Sequence, residues 1–231
     1  MKHHIQLARK QLGFTLVEIA IVLVIIGLLL GGVLKGQEMI ENARIKSVVA
    51  DMNGISAAYN SYLDRYRAIP GDELVATMTA RGWPGTMGAT AATSNGRMDT
   101  LPPATFTNTN PEQAGMWRAL RASGLTNGDP LAIAGQATMP RAGTGGLIGV
   151  SLGAYGLTGP TVCVSGLTAK QAAGIDAAID GPTAAGTFGN AIGTARGDSS
   201  ATNPFNPIAV APAGKAFDET AVGFWTMCRT L

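Results

Sequence analysis

Between Phe14 and Leu34 the chain reads FTLVEIAIVLVIIGLLLGGVL, 21 residues in which Glu18 is the only charged side chain. Roughly 20 apolar residues are enough to cross a hydrocarbon core as a helix. Lys2, Arg9 and Lys10 precede the run and Lys35 follows it. The positive-inside tendency then holds the short N-terminus in the cytoplasm and sends the large C-terminal part across. A cleaved secretory signal is the competing reading of a basic head before an apolar stretch. It fits poorly, because the run ends in Gly31, Gly32 and Lys35 with no A-x-A-like site. Glu18 is the anomaly. An ionised group in hydrocarbon costs at least about 2.5 kcal/mol and calls for a partner or a function.

The rest of the composition narrows the chemistry. Removing Lys2, Arg9 and Lys10 takes the formal charge from +2 to −1, so no cationic body is left to bind nucleic acid by counterion release. Both histidines, His3 and His4, lie at the extreme N-terminus. A Ser-His-Asp triad, histidine acid–base catalysis and a histidine-ligated zinc site are therefore not expected in the body of the protein. No catalytic residue, metal site or cofactor is expected, and the chain reads as a non-enzyme.

Beyond the apolar run, helical periodicity continues. Val48, Met52, Ile55, Tyr59, Tyr62 and Tyr66 fall on one stripe, with Lys46, Asp51, Asn60 and Asp64 mostly off it. Pro70-Gly71 ends the pattern in a turn. Unbroken from Phe14 to Arg67, such a helix would be about 80 Å long at ~1.5 Å per residue. A coiled coil is the weaker alternative, with too few clean heptads.

At this point the residues resemble a known family. Gly13-Phe14-Thr15-Leu16-Val17-Glu18, after a short basic leader and before an apolar helix, is similar to the processing motif of type IV prepilins and pseudopilins. The resemblance implies cleavage between Gly13 and Phe14 by a prepilin peptidase/methyltransferase and N-methylation of the new N-terminus at Phe14. It makes Glu18 the acid the family uses for filament assembly, pairing with an α-amino group in apolar surroundings. A Glu snorkelling from a helix end is the plainer alternative. Further implied partners are other pilin subunits, the inner-membrane assembly platform and inner-membrane lipid. The resemblance is strong to about residue 72, including DRYRAIPGD at 64–72, and fades beyond; LTAKQAAGIDAAIDGPTAAG at 167–186 resembles a C-terminal segment of some members. Many pilins have a proline near the position of Lys35. Here Gly27, Gly31, Gly32 and Gly36 stand nearby, and would either loosen the helix or admit close helix packing.

The expected organisation is a leader (1–13), a transmembrane and assembly half-helix (14–34), an amphipathic half-helix (35–69) and a periplasmic or extracellular head (70–231). In the head, 82–110 reads as loop. Asn110-Pro111-Glu112-Gln113 opens one helix and Gly124 stops it. Thr168-x-x-Gln171 is a capping box for a second, with Ala172, Ile175 and Ile179 on one face and Gly181 at its end. Strands are expected at 146–152, 161–166, 207–211 and 221–227. The fold class is α+β, pilin-like, a long N-terminal transmembrane/amphipathic helix packed on an antiparallel sheet.

Cys163 and Cys228 are an even pair in an exported domain, which favours a disulfide over two buried free thiols; the pilin resemblance implies a bond of this kind. GTGGLIG at 143–149 falls short of a dinucleotide-binding loop, since Ile148 stands where the pattern needs glycine. Asp176 and Asp180 are too few to hold calcium and read as a solvated helix face. Trp225 reads as core, and Arg118 and Arg121 make no DNA-binding stripe. The function expected is a structural subunit of a type IV pilus-like filament, in the inner membrane as a single pass and then on the surface or in the periplasm. A type II secretion pseudopilin is the alternative, and an anchored periplasmic enzyme or binding protein a more distant one.

Overall fold

The computed structural model describes residues 15–83, 94–107, 111–131, 139–181, 189–218 and 223–231. Helix α1, Leu16–Tyr66, is one continuous helix of 51 residues. Gly27, Gly31, Gly32, Gly36 and Gly54 all lie within it, so the glycine-rich stretch does not loosen it here. The chain divides into two compact units, one ending at Glu41 and the other comprising Asn42–Leu231.

Within the second unit the stripe read from sequence is the core. Val48, Met52 and Tyr62 are fully buried and Ile45, Ile55 and Tyr59 nearly so. They pack with Ile148, Val150, Val162, Val164, Leu167, Trp225 and Met227 in one apolar cluster. The last four described strands supply that face: β1 (Ile148–Leu152), β2 (Pro160–Leu167), β3 (Ala195–Ser200) and β4 (Phe224–Thr230). They form an antiparallel sheet in the order β1-β2-β4-β3. Side chains alternate across a strand, so Val162 and Val164 face α1 while Cys163 faces away. The far side carries a second apolar cluster of Phe106, Met139, Leu147, Ala154, Tyr155 and Leu157 around Cys163 and Cys228. Those two cysteines sit directly opposite each other in the β2–β4 register and are joined by a disulfide.

Helix α3 (Pro111–Ala122) ends where expected, with Gly124 at φ 74°; Asn110 lies outside the described residues. Helix α4 (Ala169–Asp180) has both bonds of the Thr168/Gln171 capping box, and Gly181 follows it at φ 83°. Gly174 gives α4 its close approach to α1, because a methyl there would run into the Ile45 side chain. The sequence pattern missed the short helix α2, Val75–Ala80. The described parts of 82–110 are irregular except for a 3₁₀ turn at Pro102–Ala104.

Two strand expectations need correction. The segment 207–211 is not a strand. The strand beside β4 is β3, whose sequence ARGDSS carries no strand-favouring residue. Residues 207–211 are bracketed by Pro207 and Pro212, each without an N–H to give a ladder. They are tied down by single contacts instead, such as Tyr155 N–H donating to the Ile208 carbonyl at 2.7 Å. The final strand begins at Phe224 and runs on to Thr230, later than the 221–227 pattern; residues 221 and 222 lie outside the described residues.

Both sheet edges are covered. On β1, Gln113 Nε2 donates to the Val150 carbonyl at 3.1 Å and Leu152 N–H to the Thr100 carbonyl at 2.7 Å. On β3, Asn190 Nδ2 donates to the Gly197 carbonyl at 3.2 Å. Covered edges protect a sheet against pairing with another chain.

Candidate functional site

The first turn of α1 is organised around Glu18. Thr15 precedes the helix, and its backbone N–H and hydroxyl both donate to Glu18 Oε2, at 2.8 and 2.9 Å. Glu18 N–H donates back to the Thr15 hydroxyl at 3.3 Å. This is a reciprocal capping box that satisfies two donors the helix start would otherwise leave open. The T-x-x-E spacing before an apolar run announces it in sequence, and Thr15 is the member that motif reading passed over. A carboxylate in the first turn also complements the positive end of the helix dipole.

Gly13 and Phe14, the expected cleavage and methylation positions, lie outside the described residues. The described chain begins one residue later, with Thr15 immediately before the helix. The N–H of Thr15 belongs to the Phe14–Thr15 peptide bond, so all three contacts survive cleavage after Gly13.

From Leu16 to Leu34 the helix surface is apolar and open. Leu16 is 86% exposed, and Leu28 is 74% exposed. The helix is long and apolar enough to cross a membrane, and none of its apolar window is buried. Polar surface resumes with the exposed Lys35–Glu38 ion pair at 2.7 Å.

Among the described residues no cluster of three or more His, Cys, Asp or Glu could hold a metal ion. Asp180 accepts bonds from the Thr194 N–H (3.1 Å), the Thr194 hydroxyl and the Ala195 N–H (2.7 Å), fastening α4 to the start of β3. Asp176 is 2% exposed. The solvated-face reading therefore holds for Asp180, which is exposed while it clamps β3, and fails for Asp176, which is core. The 143–149 segment is turn and strand, with Arg141 bridging to Leu147 and Gly143 N–H donating to Asp51 of α1. Trp225 is buried and stacks near Phe217, with ring centroids 4.8 Å apart.

The C-terminal end of α1 is locked by a polar–aromatic knot that sequence reading did not resolve. Glu73 is buried, accepts from Tyr62 Oη at 2.7 Å and pairs with Arg81 at 2.5 Å. The Arg81 guanidinium lies 4.6 Å from the Tyr66 ring centre and 5.3 Å from that of Trp83. The carboxylate is thus hydrogen-bonded and paired where burial would otherwise be costly.

Residues 8–34 match the family model of the prokaryotic N-terminal methylation motif. No curated protein and no solved structure matches the chain. The match takes in Gly13, Phe14, Glu18 and the apolar run as far as Leu34, and does not extend into the second compact unit.

Proposed function

We propose that this chain, whose methylation motif supports a type IV prepilin-like protein, is a structural subunit that polymerises through the N-terminal half of α1 into a pilus-like filament. The observation that carries this reading is the pairing of a matched methylation motif with an apolar helix surface that the described residues leave uncovered. Such a surface needs lipid before assembly and neighbouring helices after it. In the first state it is the single inner-membrane pass of the precursor. In the second it is the packed axis of a filament, with the head displayed in the periplasm or outside the cell. The covered sheet edges favour helix packing over strand exchange as the route of polymerisation.

The chemistry of the start follows from charge. Cleavage between Gly13 and Phe14 by the prepilin peptidase creates an α-ammonium group, which the same enzyme methylates. In an apolar filament axis an unpaired ammonium or carboxylate is costly, and a pair is much less so. Glu18 supplies the opposite charge and guides an incoming subunit into register, because only one axial position neutralises both groups. Thr15 holds Oε2 from one side. Among the described residues no bond falls on Oε1, which is the atom left to face the ammonium.

Intact mass of the protein from membranes and from the sheared extracellular fraction, with and without reductant, tests this reading. The expected species lacks residues 1–13, carries one added methyl and gains two hydrogens on reduction. Its presence in the sheared fraction identifies a surface pilus. Confinement to the membrane in cells that shear other pili identifies the type II secretion pseudopilin alternative. An uncut N-terminus, in cells shown to process another prepilin, would overturn the assembly role of Glu18.

A further inference from the structure

Three Asn-Gly pairs stand in the chain, at 53–54, 95–96 and 127–128. An asparagine before glycine carries a latent reaction, because no Cβ on the next residue shields its backbone nitrogen from the side-chain amide. That nitrogen attacks the asparagine Cγ only when its N–H is not held elsewhere and the backbone can turn to bring the two together. The three pairs differ on both counts.

Asn53 and Gly54 lie inside α1, where each N–H belongs to the helical ladder and the backbone angles are fixed. The Asn53 side chain is held as well, its Oδ1 accepting Arg229 Nη1 at 2.6 Å. Asn95 is exposed but fastened at both ends of its amide. Its Nδ2 donates to Asp99 at 2.6 Å and its Oδ1 accepts the Arg97 N–H at 3.1 Å. The Gly96 N–H, on the nitrogen that would have to attack, donates to the Asp72 carboxylate at 2.7 Å. Asp72 also accepts the Asn95 N–H at 3.0 Å, and Glu112 of α3 accepts that of Asp99 at 2.5 Å. A negative charge facing the Gly96 N–H opposes its ionisation.

Asn127–Gly128 is the exception. The turn after α3 is tied as far as Thr126, whose N–H donates to the Leu120 carbonyl at 3.2 Å. It is tied again at Leu131, whose N–H donates to Asp129 at 2.8 Å. Between those ties Asn127 and Gly128 are exposed, and among the described residues no hydrogen bond falls on either. Gly128, at φ 124°, lies so close to the Arg121 side chain that a methyl there would run into it. The guanidinium charge favours an ionising amide nitrogen beside it, the reverse of Asp72 at Gly96. The Asp129 carboxylate, which also acts on Arg121, is the opposing charge.

We infer that Asn127–Gly128 is a self-modification site at which the folded head deamidates. The Gly128 nitrogen bonds to Asn127 Cγ, the Cγ–Nδ2 bond breaks, and ammonia leaves carrying the Gly128 amide proton. Water then adds to either carbonyl of the cyclic imide and opens it, to aspartate or to isoaspartate. No oxidant or reductant enters. Each event exchanges ammonia for water and places one new carboxylate beside Asp129. Old molecules thus differ from new ones by a charge on this turn, however the subunit assembles.

Incubation in heavy-oxygen water tests the site on the full chain in detergent micelles with its disulfide intact. Digestion in ordinary water and peptide mass mapping follow, so only asparagines that react during the incubation carry the label. In the folded chain Asn127 takes up label at least about tenfold faster than Asn53 or Asn95, since those two must first open locally. In denaturant with the disulfide reduced the three rates converge, because each asparagine then precedes an unheld glycine. Asn127 no faster than the other two in the folded chain overturns the site. An equal spread persisting after unfolding would trace the preference to neighbours in sequence, and overturn the role given to the fold.

Discussion

The two halves of α1 share one backbone conformation and have opposite fates. Before Glu41, Leu16, Leu28 and Leu34 are 86%, 74% and 67% exposed, whereas past it Val48, Met52 and Tyr62 are each at 0%. The first half is apolar on every side and the second only along one stripe. An apolar stripe tells a helix which way to face, and the sheet of the same chain covers it. A helix apolar all round has no such direction, and among the described residues nothing covers it. Helix formation and burial are thus separate outcomes: in this molecule the second half is packed into the fold, while the first half stays open.

That contrast can be broken most severely at Glu18. Glu18→Leu is expected to cut the sheared filament fraction by more than about tenfold, equivalent to ~1.4 kcal/mol per decade of subunit affinity. Thermal unfolding of the head should stay unchanged. A filament yield equal to wild type would remove the division between an associating half and a folding half.

Next in size is the disulfide. Replacing Cys163 and Cys228 together by Ala should destabilise the head by about 2–5 kcal/mol in denaturant titration, while the protein remains in the membrane fraction. Loss of membrane retention instead would mean that the helix needs an intact head to insert.

A matched pair of truncations on the helix sharpens the comparison directly. Met52→Ala removes a fully buried side chain and should cost about 2–5 kcal/mol of head stability. Leu28→Ala, on an open surface, should leave head stability unchanged within about 0.5 kcal/mol. Equal effects at the two positions would contradict the division seen in the structure.

Smallest is the alkaline response of the buried stripe. Burial first, and the Asp72 charge second, push the Tyr59 hydroxyl from its ordinary 10.0 up to about 12. Its neutral form is therefore the one the fold favours. The associated stability is fully present below the unfolded value and is lost as pH rises through about 12. Head stability should fall over that window in wild type and fall less in Tyr59→Phe, read by denaturant titration alongside tyrosinate absorbance. The N-terminal half holds no tyrosine, so membrane retention should not follow the same profile.

Legibility in the sequence was uneven for physical reasons. The stripe from Val48 to Tyr62, the Thr168/Gln171 cap and strands β1 and β2 were readable because each is a local pattern of burial or capping. The segment 207–211 has strand-like side chains, but Pro207 and Pro212 at its ends have no N–H to give a ladder. ARGDSS in β3 has the neighbour without the side chains, since pairing with β4 outweighs a weak propensity. Asp176 was misread as solvated because what covers a helix face is not visible from the helix alone. At the candidate site, Glu18 stood out as a lone charge in an apolar run, while Thr15 was overlooked although the T-x-x-E spacing was present.

By itself the sequence determined the long helix, its change from all-round to one-sided apolarity, the methylation motif with Glu18 inside it, and two cysteines available for oxidation. These depend on residues a few positions apart, where periodicity and charge act directly. Only the tertiary structure decided the strand order β1-β2-β4-β3, the placing of Cys163 opposite Cys228, the burial of Glu73 against Arg81, and the gathering of Asp72, Asp99 and Glu112 around one segment. Those depend on which distant segments win a shared surface, a competition that packing and hydrogen bonding settle across the whole fold.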